Sequence, residues 1–220
     1  MATERVMVDF GRAYPVFPLQ GAVLLPQAVM PLHVFEPRYR RMVSDVLDSH
    51  GMIAMALFRG EGTPAERTEG PPPLRTFVCL GQIREYERMR DGRYVLLLQG
   101  LCRARVEREL VHTPYRRVRL LPVEEADPGE DQLVDYRRRI GELLKLKVSG
   151  DGPGKPLIAA ADYKDVSTPV VVDLAIAAVC REATQQYRLL SQPDVRLRAE
   201  WVIHQMEILT GQQPDLNSRN

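Results

Sequence analysis

The sequence has few cysteines, no long apolar run and no secretion signal. Cys79, Cys102 and Cys180 are scattered and never form a Cys-x-x-Cys pair. This spacing argues against a zinc site or a disulfide framework and favours a reducing compartment. No apolar run approaches the roughly 18 residues of a membrane-spanning helix, and the start, MATERVMVDF, has no apolar signal core. We therefore predict a cytoplasmic protein without a membrane partner.

The motifs of ATPases and hydrolases are also missing. The nearest match to a phosphate-binding loop, GDGPGKP at 150–156, has the wrong spacing and Pro in place of Ser or Thr. There is no Gly-x-Ser-x-Gly turn for a nucleophilic serine. The four histidines show no paired spacing for a metal. We predict no catalytic residue, no metal and no cofactor.

Net charge is nearly absent as well. The formal value of +1 provides no general attraction to nucleic acid or to an anionic membrane. Hydrophobic residues make up 45% and charged residues 27% of the 220 residues, which is ordinary for a globular protein with one large or two small domains.

What is present in residues 14–124 is a series of short strand patterns around one helix. Pro37 suits the first helical position, and an apolar face follows at helical spacing. Asp91-Gly92, between two apolar runs, predicts a tight hairpin with two positive φ angles. The number and spacing of the strands predict a small closed or nearly closed barrel. The predicted strands are 16–19, 29–35, 52–58, 77–87, 94–99, 101–110 and 115–123.

Residues 125–210 instead show helical periodicity. Thr168-Pro169 predicts the start of one helix, and residues 191–194 predict the start of the last one. We expect flexible ends at 1–13 and 211–220, an exposed loop at 59–76 and a linker at 149–156. One helix has the stripe Leu133, Tyr136, Ile140, Leu143 and Leu144, and the last has Leu197, Trp201, Val202, Ile208 and Leu209.

Three long blocks carry a family resemblance. They are FPLQGAVLLPQAVMPLHVFEPRYRRMV, GQIREYERMRDGRYVLLLQGLCRARVERE and the tail QQYRLLSQPDVRLRAEWVIHQMEIL. Together they resemble the N-terminal, substrate-binding domain of Lon proteases, and more closely the stand-alone bacterial Lon-N-terminal-domain proteins. The resemblance covers roughly residues 14–210.

The resemblance implies an α+β fold, with a PUA-like β-barrel followed by a C-terminal α-helical bundle. It implies a non-catalytic module that recognises unfolded or partly folded polypeptide, or a protein partner, in protein quality control. The Lon ATPase and Ser–Lys peptidase domains have no counterpart in this sequence. We expect an apolar groove where barrel and bundle meet, with the 59–76 loop as a flap. The candidate contacts are Pro31, Leu32, Phe35, Arg38 and Tyr39.

Two other groups of residues remain open. His33 and Glu36, near Arg38, form either a small polar site or a network that fixes the strand–helix junction, and we favour the junction. The alternative function is RNA binding by a PUA-like protein through an Arg-rich sheet face, although few tyrosines are interleaved with it for base stacking. Oligomeric state and partner identity are not defined by the sequence. The residues of the alternative face are Arg103, Arg105, Arg117 and Arg119.

Overall fold

The computed structural model describes residues 6–59, 72–110, 114–147 and 166–212. Within these ranges the protein has one six-stranded sheet and five helices. The strands are β1 Ala13–Leu19, β2 Val29–Val34, β3 Met52–Leu57, β4 Phe77–Arg88, β5 Tyr94–Leu110 and β6 Arg117–Pro122. The helices are α1 Pro37–Leu47, α2 Glu130–Lys147, α3 Thr168–Val179, α4 Ala183–Ser191 and α5 Val195–Thr210.

The chain divides into two compact units. The first comprises the residues up to Leu24 together with Val29–Val123, and the second comprises Leu25–Ala28 together with the residues from Glu124 onward. Most of the loop predicted at 59–76 and all of the linker predicted at 149–156 lie outside the described residues.

The first unit is built on a sheet with the strand order β2-β5-β4-β3-β1-β6. β5 also pairs with β6, so the pairing from β5 through β4, β3, β1 and β6 returns to β5. Neighbouring strands are antiparallel, except for the parallel pair β1–β3. β2 pairs with β5 alone among the described strands and is the edge strand of the sheet.

The core of the first unit lies between the inward faces of these strands. It includes Tyr14, Ala54, Leu80 and Leu120, all fully buried or nearly so. The described part of the predicted flexible N-terminus makes more contact than expected, because Val6, Val8 and Phe10 pack against this core. α1 buries the predicted stripe Tyr39, Met42, Val43 and Val46.

The hairpin between β4 and β5 differs from the prediction in its turn. Met89 donates to the Arg93 carbonyl at 2.8 Å, and Gly92 donates back to the Met89 carbonyl at 2.9 Å. Only Gly92 has a positive φ, of 81°, and Asp91 does not. This longer loop needs only one residue with a positive φ, whereas a two-residue type I′ turn needs two. The two strands predicted at 94–99 and 101–110 are one continuous strand, β5.

The second unit holds α2 to α5, and α2, α3 and α5 pack on one another. Four of the five residues in the predicted α2 stripe, Leu133, Ile140, Leu143 and Leu144, are buried, whereas Tyr136 is half-buried. The Glu130 carboxylate accepts the N–H of Thr168 at 2.7 Å and also its hydroxyl, and so holds the start of α3 against α2. Asp194 caps α5 by accepting the N–H of Arg196 at 2.8 Å.

The predicted apolar stripe of α5 is wrong for three of its five residues. Leu197, Ile208 and Leu209 are exposed. The buried face is formed by Val195, Ala199, Val202 and Met206, which recur at helical spacing. α5 is apolar on more than one side, so periodicity alone did not distinguish the inward face.

Candidate functional site

The edge strand β2 alternates between buried and exposed side chains. Leu32 and Val34 point into the core, whereas Val29, Pro31 and His33 are exposed. This period of two is the one expected of a strand that covers a core on one side only. Among the described strands, β2 has a partner on one side only, and an unpaired strand edge can accept a further extended chain.

The outward face of β2 continues onto β5. His33 lies opposite Val95, and Pro31 lies opposite Leu97. Val95 is 42% exposed and Leu97 is half-buried. We call the outward row of Val29, Pro31, Phe35, Val95 and Leu97 the β2–β5 apolar face.

Phe35 is the most exposed member of this face. Its side chain is 60% exposed, and its ring lies edge-on to that of His33, with 6.2 Å between centroids. A phenylalanine left in water at this level is a large apolar surface that a ligand can cover.

Acidic residues border the apolar face on the β4 side. Glu85 lies opposite Leu97 and Glu87 lies opposite Val95, and both glutamates are exposed. Their carboxylates place negative charge beside the apolar row. A ligand with a basic residue next to its apolar ones therefore suits this face.

The start of α1 forms the other border. The Arg38 guanidinium lies 4.6 Å from the centroid of the Tyr39 ring and pairs with the Glu36 carboxylate at 2.8 Å. Tyr39 is buried and its ring packs at a tilt against that of Phe17, with 4.5 Å between ring centroids. Burial raises the pKa of the Tyr39 hydroxyl above its usual value, so Tyr39 is a neutral core residue.

The structure therefore divides the five predicted contacts. Pro31, Phe35 and Arg38 are exposed and available to a ligand. Leu32 and Tyr39 are core side chains, which corrects our prediction of them as contacts, because each faces inward from its strand or helix.

The predicted polar cluster is only partly assembled. Glu36 accepts a hydrogen bond from Arg38 Nε at 3.0 Å, whereas the contact seen for His33 is with the Phe35 ring. Glu36 and Arg38 thus form an exposed ion pair at the strand–helix junction.

The four arginines predicted for the alternative, RNA-binding function do not form one continuous surface. Arg103 is only 3% exposed, because it lies opposite the buried Cys79 in the middle of the sheet. Arg105 is exposed. Arg117 and Arg119 are half-buried and donate to the carbonyls of Ala13 and Gly11, each at 3.0 Å. Arg103 therefore does not belong to a solvated face.

The described residues contain no candidate metal site and no candidate membrane span. Among the described residues, no group of three or more His, Cys, Asp or Glu side chains is placed to hold a metal ion. In those residues, too, every helix is too short or too polar to cross a membrane.

Sequence analysis missed Val29, Val95 and Leu97. The run YVLLLQG in β5 is apolar at successive positions, so it shows no alternation that separates outward from inward residues. Only the pairing register with β2 shows that Val95 and Leu97 point outward. For β2, the available indication of the outward face was the pair Val29 and Pro31, which lie two residues apart and therefore on the same side of the strand.

Comparison with known proteins points to one family. A protein-family model described as the ATP-dependent protease La (LON) substrate-binding domain matches residues 13–207. The chain is 24% identical to Lon protease 2 of Myxococcus xanthus over 201 residues, which cover 89% of this chain and 23% of that protein. It is 31% identical to the Lon protease of Dictyoglomus thermophilum over 138 residues, covering 63% of this chain and 16% of that protein. The chain spans a quarter or less of the length of these relatives.

Two solved structures share the fold. The N-terminal domain of the Mycobacterium avium complex Lon protease matches with a TM-score of 0.66 at 18% identity, covering 89% of this chain and 98% of that one. A Lon N-terminal domain protein from Xanthomonas campestris matches with a TM-score of 0.60 at 23% identity, covering 88% and 98%.

Proposed function

We propose, from the premise that this chain belongs to the Lon substrate-binding domain family, that it recognises polypeptide and catalyses no reaction. The family match supports a role in substrate recognition. We infer further that the bound chains are unfolded or partly folded, as in protein quality control. The observation that carries the proposal is the β2–β5 apolar face on the open edge strand.

The chemistry of this face suits an extended apolar segment. Covering a Phe or Val side chain completely contributes about 1.5–3 kcal/mol. Ordering an unfolded chain offsets much of the total. Several covered side chains therefore support a dissociation constant of about 1 μM, which corresponds to a favourable binding free energy of about 8 kcal/mol. Reversible capture of this strength suits a module that samples many different chains.

The open edge of β2 adds main-chain recognition. An extended peptide can pair with an exposed strand edge, so that main-chain hydrogen bonds supply affinity without regard to its sequence. Pro31 has no N–H to donate at the middle of β2, and a proline in an edge strand also discourages uncontrolled pairing with other chains. We infer that a bound segment makes a short ladder on one side of Pro31.

We also propose the finer description of the architecture. The pairing of β5 with both β4 and β6 supports a PUA-like barrel, and the mutual packing of α2, α3 and α5 supports a C-terminal bundle. The RNA-binding alternative is not favoured, since one of its four arginines, Arg103, is buried.

The test is binding of fluorescently labelled, unfolded casein to the intact chain, followed by anisotropy. We expect Phe35→Asp and Val95→Asp each to weaken binding about tenfold or more, because each places a charge where apolar surface is covered. Val134→Asp on α2 is the matched control, because Val134 is 56% exposed in the second unit. Equal weakening in all three variants, or none in the first two, contradicts the proposal.

A further inference from the structure

A bulge in β5 gathers arginines on one face of the sheet. The bulge lies between two successive cross-strand pairs: Val106 pairs with Leu120, and Arg108 pairs with Arg119. Without the bulge, residues 105 and 108 would point to opposite sides of the strand, because side chains alternate. The extra residue shifts the alternation, as bulges do. Arg105 and Arg108 therefore both point outward.

The two partner arginines come from β6. Val118 and Leu120 are fully buried or nearly so, so Arg117 and Arg119 lie on the outward side of the same strand. Arg117 pairs with Leu110 across the sheet, and Arg119 pairs with Arg108. We call Arg105, Arg108, Arg117 and Arg119 the arginine face.

Among the described residues, no carboxylate forms an ion pair with any of the four arginines of this face. Arg117 and Arg119 donate to carbonyls, which carry no net charge. Neither Arg105 nor Arg108 pairs with a carboxylate in the described ranges. The nearby acid Glu109 pairs instead with Arg116. Like charges directly opposite one another across two strands destabilise a sheet. An anionic ligand beside Arg108 and Arg119 would offset the repulsion between them.

We propose that the arginine face binds an extended acidic segment of a polypeptide, which rests on the polypeptide recognition proposed above. Side chains two apart on an extended chain lie on one side, about 6.6–6.8 Å apart. That is also the repeat of Arg117 and Arg119 along β6. A segment with Asp or Glu at alternate positions therefore matches the two guanidinium groups. Carboxylates bind guanidinium groups in a two-pronged, charge-assisted geometry.

Polypeptide fits this face better than nucleic acid. Proteins that hold single-stranded nucleic acid combine positive charge with successive aromatic side chains for stacking. The aromatic cross-strand neighbour of the face is Phe77, opposite Arg105, and it is half-buried. The other neighbours are Leu110, Leu121, Ala13 and Pro15, none of which is aromatic.

The experiment uses the intact chain and a short labelled peptide that alternates Glu with Thr. The same peptide with Gln in place of Glu tests the charge, and a single-stranded RNA oligonucleotide tests the other class of anion. Arg108→Glu is the key variant. We expect it to weaken binding of the acidic peptide about tenfold, as the loss of charge-assisted contacts implies. It should not lower the unfolding temperature, since Glu opposite Arg119 is a favourable pair.

Arg90→Glu is the matched control, because Arg90 is exposed on the turn between β4 and β5 and makes the same charge change. Weak binding of the Gln peptide and normal binding by Arg90→Glu support the inference. Equal loss in the two variants, no binding of the acidic peptide, or tighter binding of RNA overturns it. If the acidic peptide does not bind, but casein binding still depends on Phe35 and not on Arg108, this inference is wrong while the proposed function is still supported.

Discussion

At the scale of single residues, His50 makes the free energy of unfolding depend on pH. Its Nδ1 accepts the N–H of Met52 at 3.0 Å, and its ring lies edge-on to Tyr14 at 5.3 Å. Burial first, and then the charges of Arg12 and Arg117, lower the pKa of His50 below its ordinary value. Protonation would also remove the Nδ1 acceptor from the hydrogen bond.

The sign of the pH effect follows from these shifts. At pH below about 6.5 the unfolded chain binds a proton at His50 that the folded chain still excludes. We expect the free energy of unfolding to fall as the pH drops from 7 through 6.5 toward the lowered pKa. Urea denaturation at a series of pH values measures this slope.

His50→Asn separates this residue from the others that titrate. Asn carries a side-chain oxygen that can accept the same type of local hydrogen bond, but it does not titrate. We expect a shallower pH slope in this variant, because the side chain at position 50 no longer binds a proton in the unfolded chain. An unchanged slope in His50→Asn would show that other groups set the acid sensitivity.

At the scale of elements, one buried arginine joins α3, α5 and the chain before α2. Arg198 is fully buried, and its Nε lies 3.4 Å from Asp173, which is 4% exposed. It also pairs with Glu125 at 3.3 Å and donates to the carbonyls of Gln192 and Pro193. Arg198→Met removes the cation from this buried Arg198–Asp173 pair and should destabilise the protein by about 3–5 kcal/mol.

The double variant Arg198→Met with Asp173→Asn tests that reasoning. Removing the negative charge at position 173 together with the positive charge at position 198 should restore part of the lost free energy of unfolding. If the double variant is as unstable as the two single effects added together, the loss comes from packing rather than from charge.

Two glycines provide a matched comparison of local conformation. Gly141 lies inside α2, and a methyl group there meets no atom within 4 Å. Gly141→Ala should raise the free energy of unfolding by about 0.5–1 kcal/mol. Gly92 has a φ of 81°, and a methyl group there would overlap a nitrogen of the Arg40 guanidinium. Gly92→Ala should be destabilising by about 1–2 kcal/mol, and thermal melts of both variants measure the contrast.

The elements that could be predicted from the sequence have local signals. α1 begins at Pro37 and buries an apolar stripe on one face, and α2 buries its own, so both patterns are unambiguous. α5 has apolar residues on several faces, and the side that packs depends on its neighbours. The site was predictable only in part. Pro31 and Phe35 were predicted from the sequence, whereas Val95 lies beside them because of the way β5 pairs with β2. Three members of the arginine face, Arg105, Arg117 and Arg119, were predicted from the sequence, whereas Arg108 joins them through a bulge that no sequence pattern revealed.

At the scale of the whole molecule, the family match accounts for nearly all of the chain. It covers residues 13–207 of 220. We therefore expect the purified protein to hydrolyse no ATP and to cleave no unfolded casein. The test measures both activities beside those of Lys155→Ala, which changes the lysine of the one segment that resembles a phosphate-binding loop. Either activity present in the parent and lost in the variant contradicts a non-catalytic function.

Salt separates the two surfaces proposed on the intact chain. Raising NaCl from about 0.1 M to about 1 M shortens the Debye length from about 10 Å to about 3 Å. Apolar contact has no Coulomb attraction to screen, so casein binding through the β2–β5 apolar face should change little. Binding of the alternating Glu peptide should fall steeply over the same range, and Arg108→Glu should remove that salt dependence while Phe35→Asp leaves it intact. If casein binding instead falls with salt as steeply as peptide binding does, charge and not apolar burial drives polypeptide recognition, and the arginine face becomes its principal site.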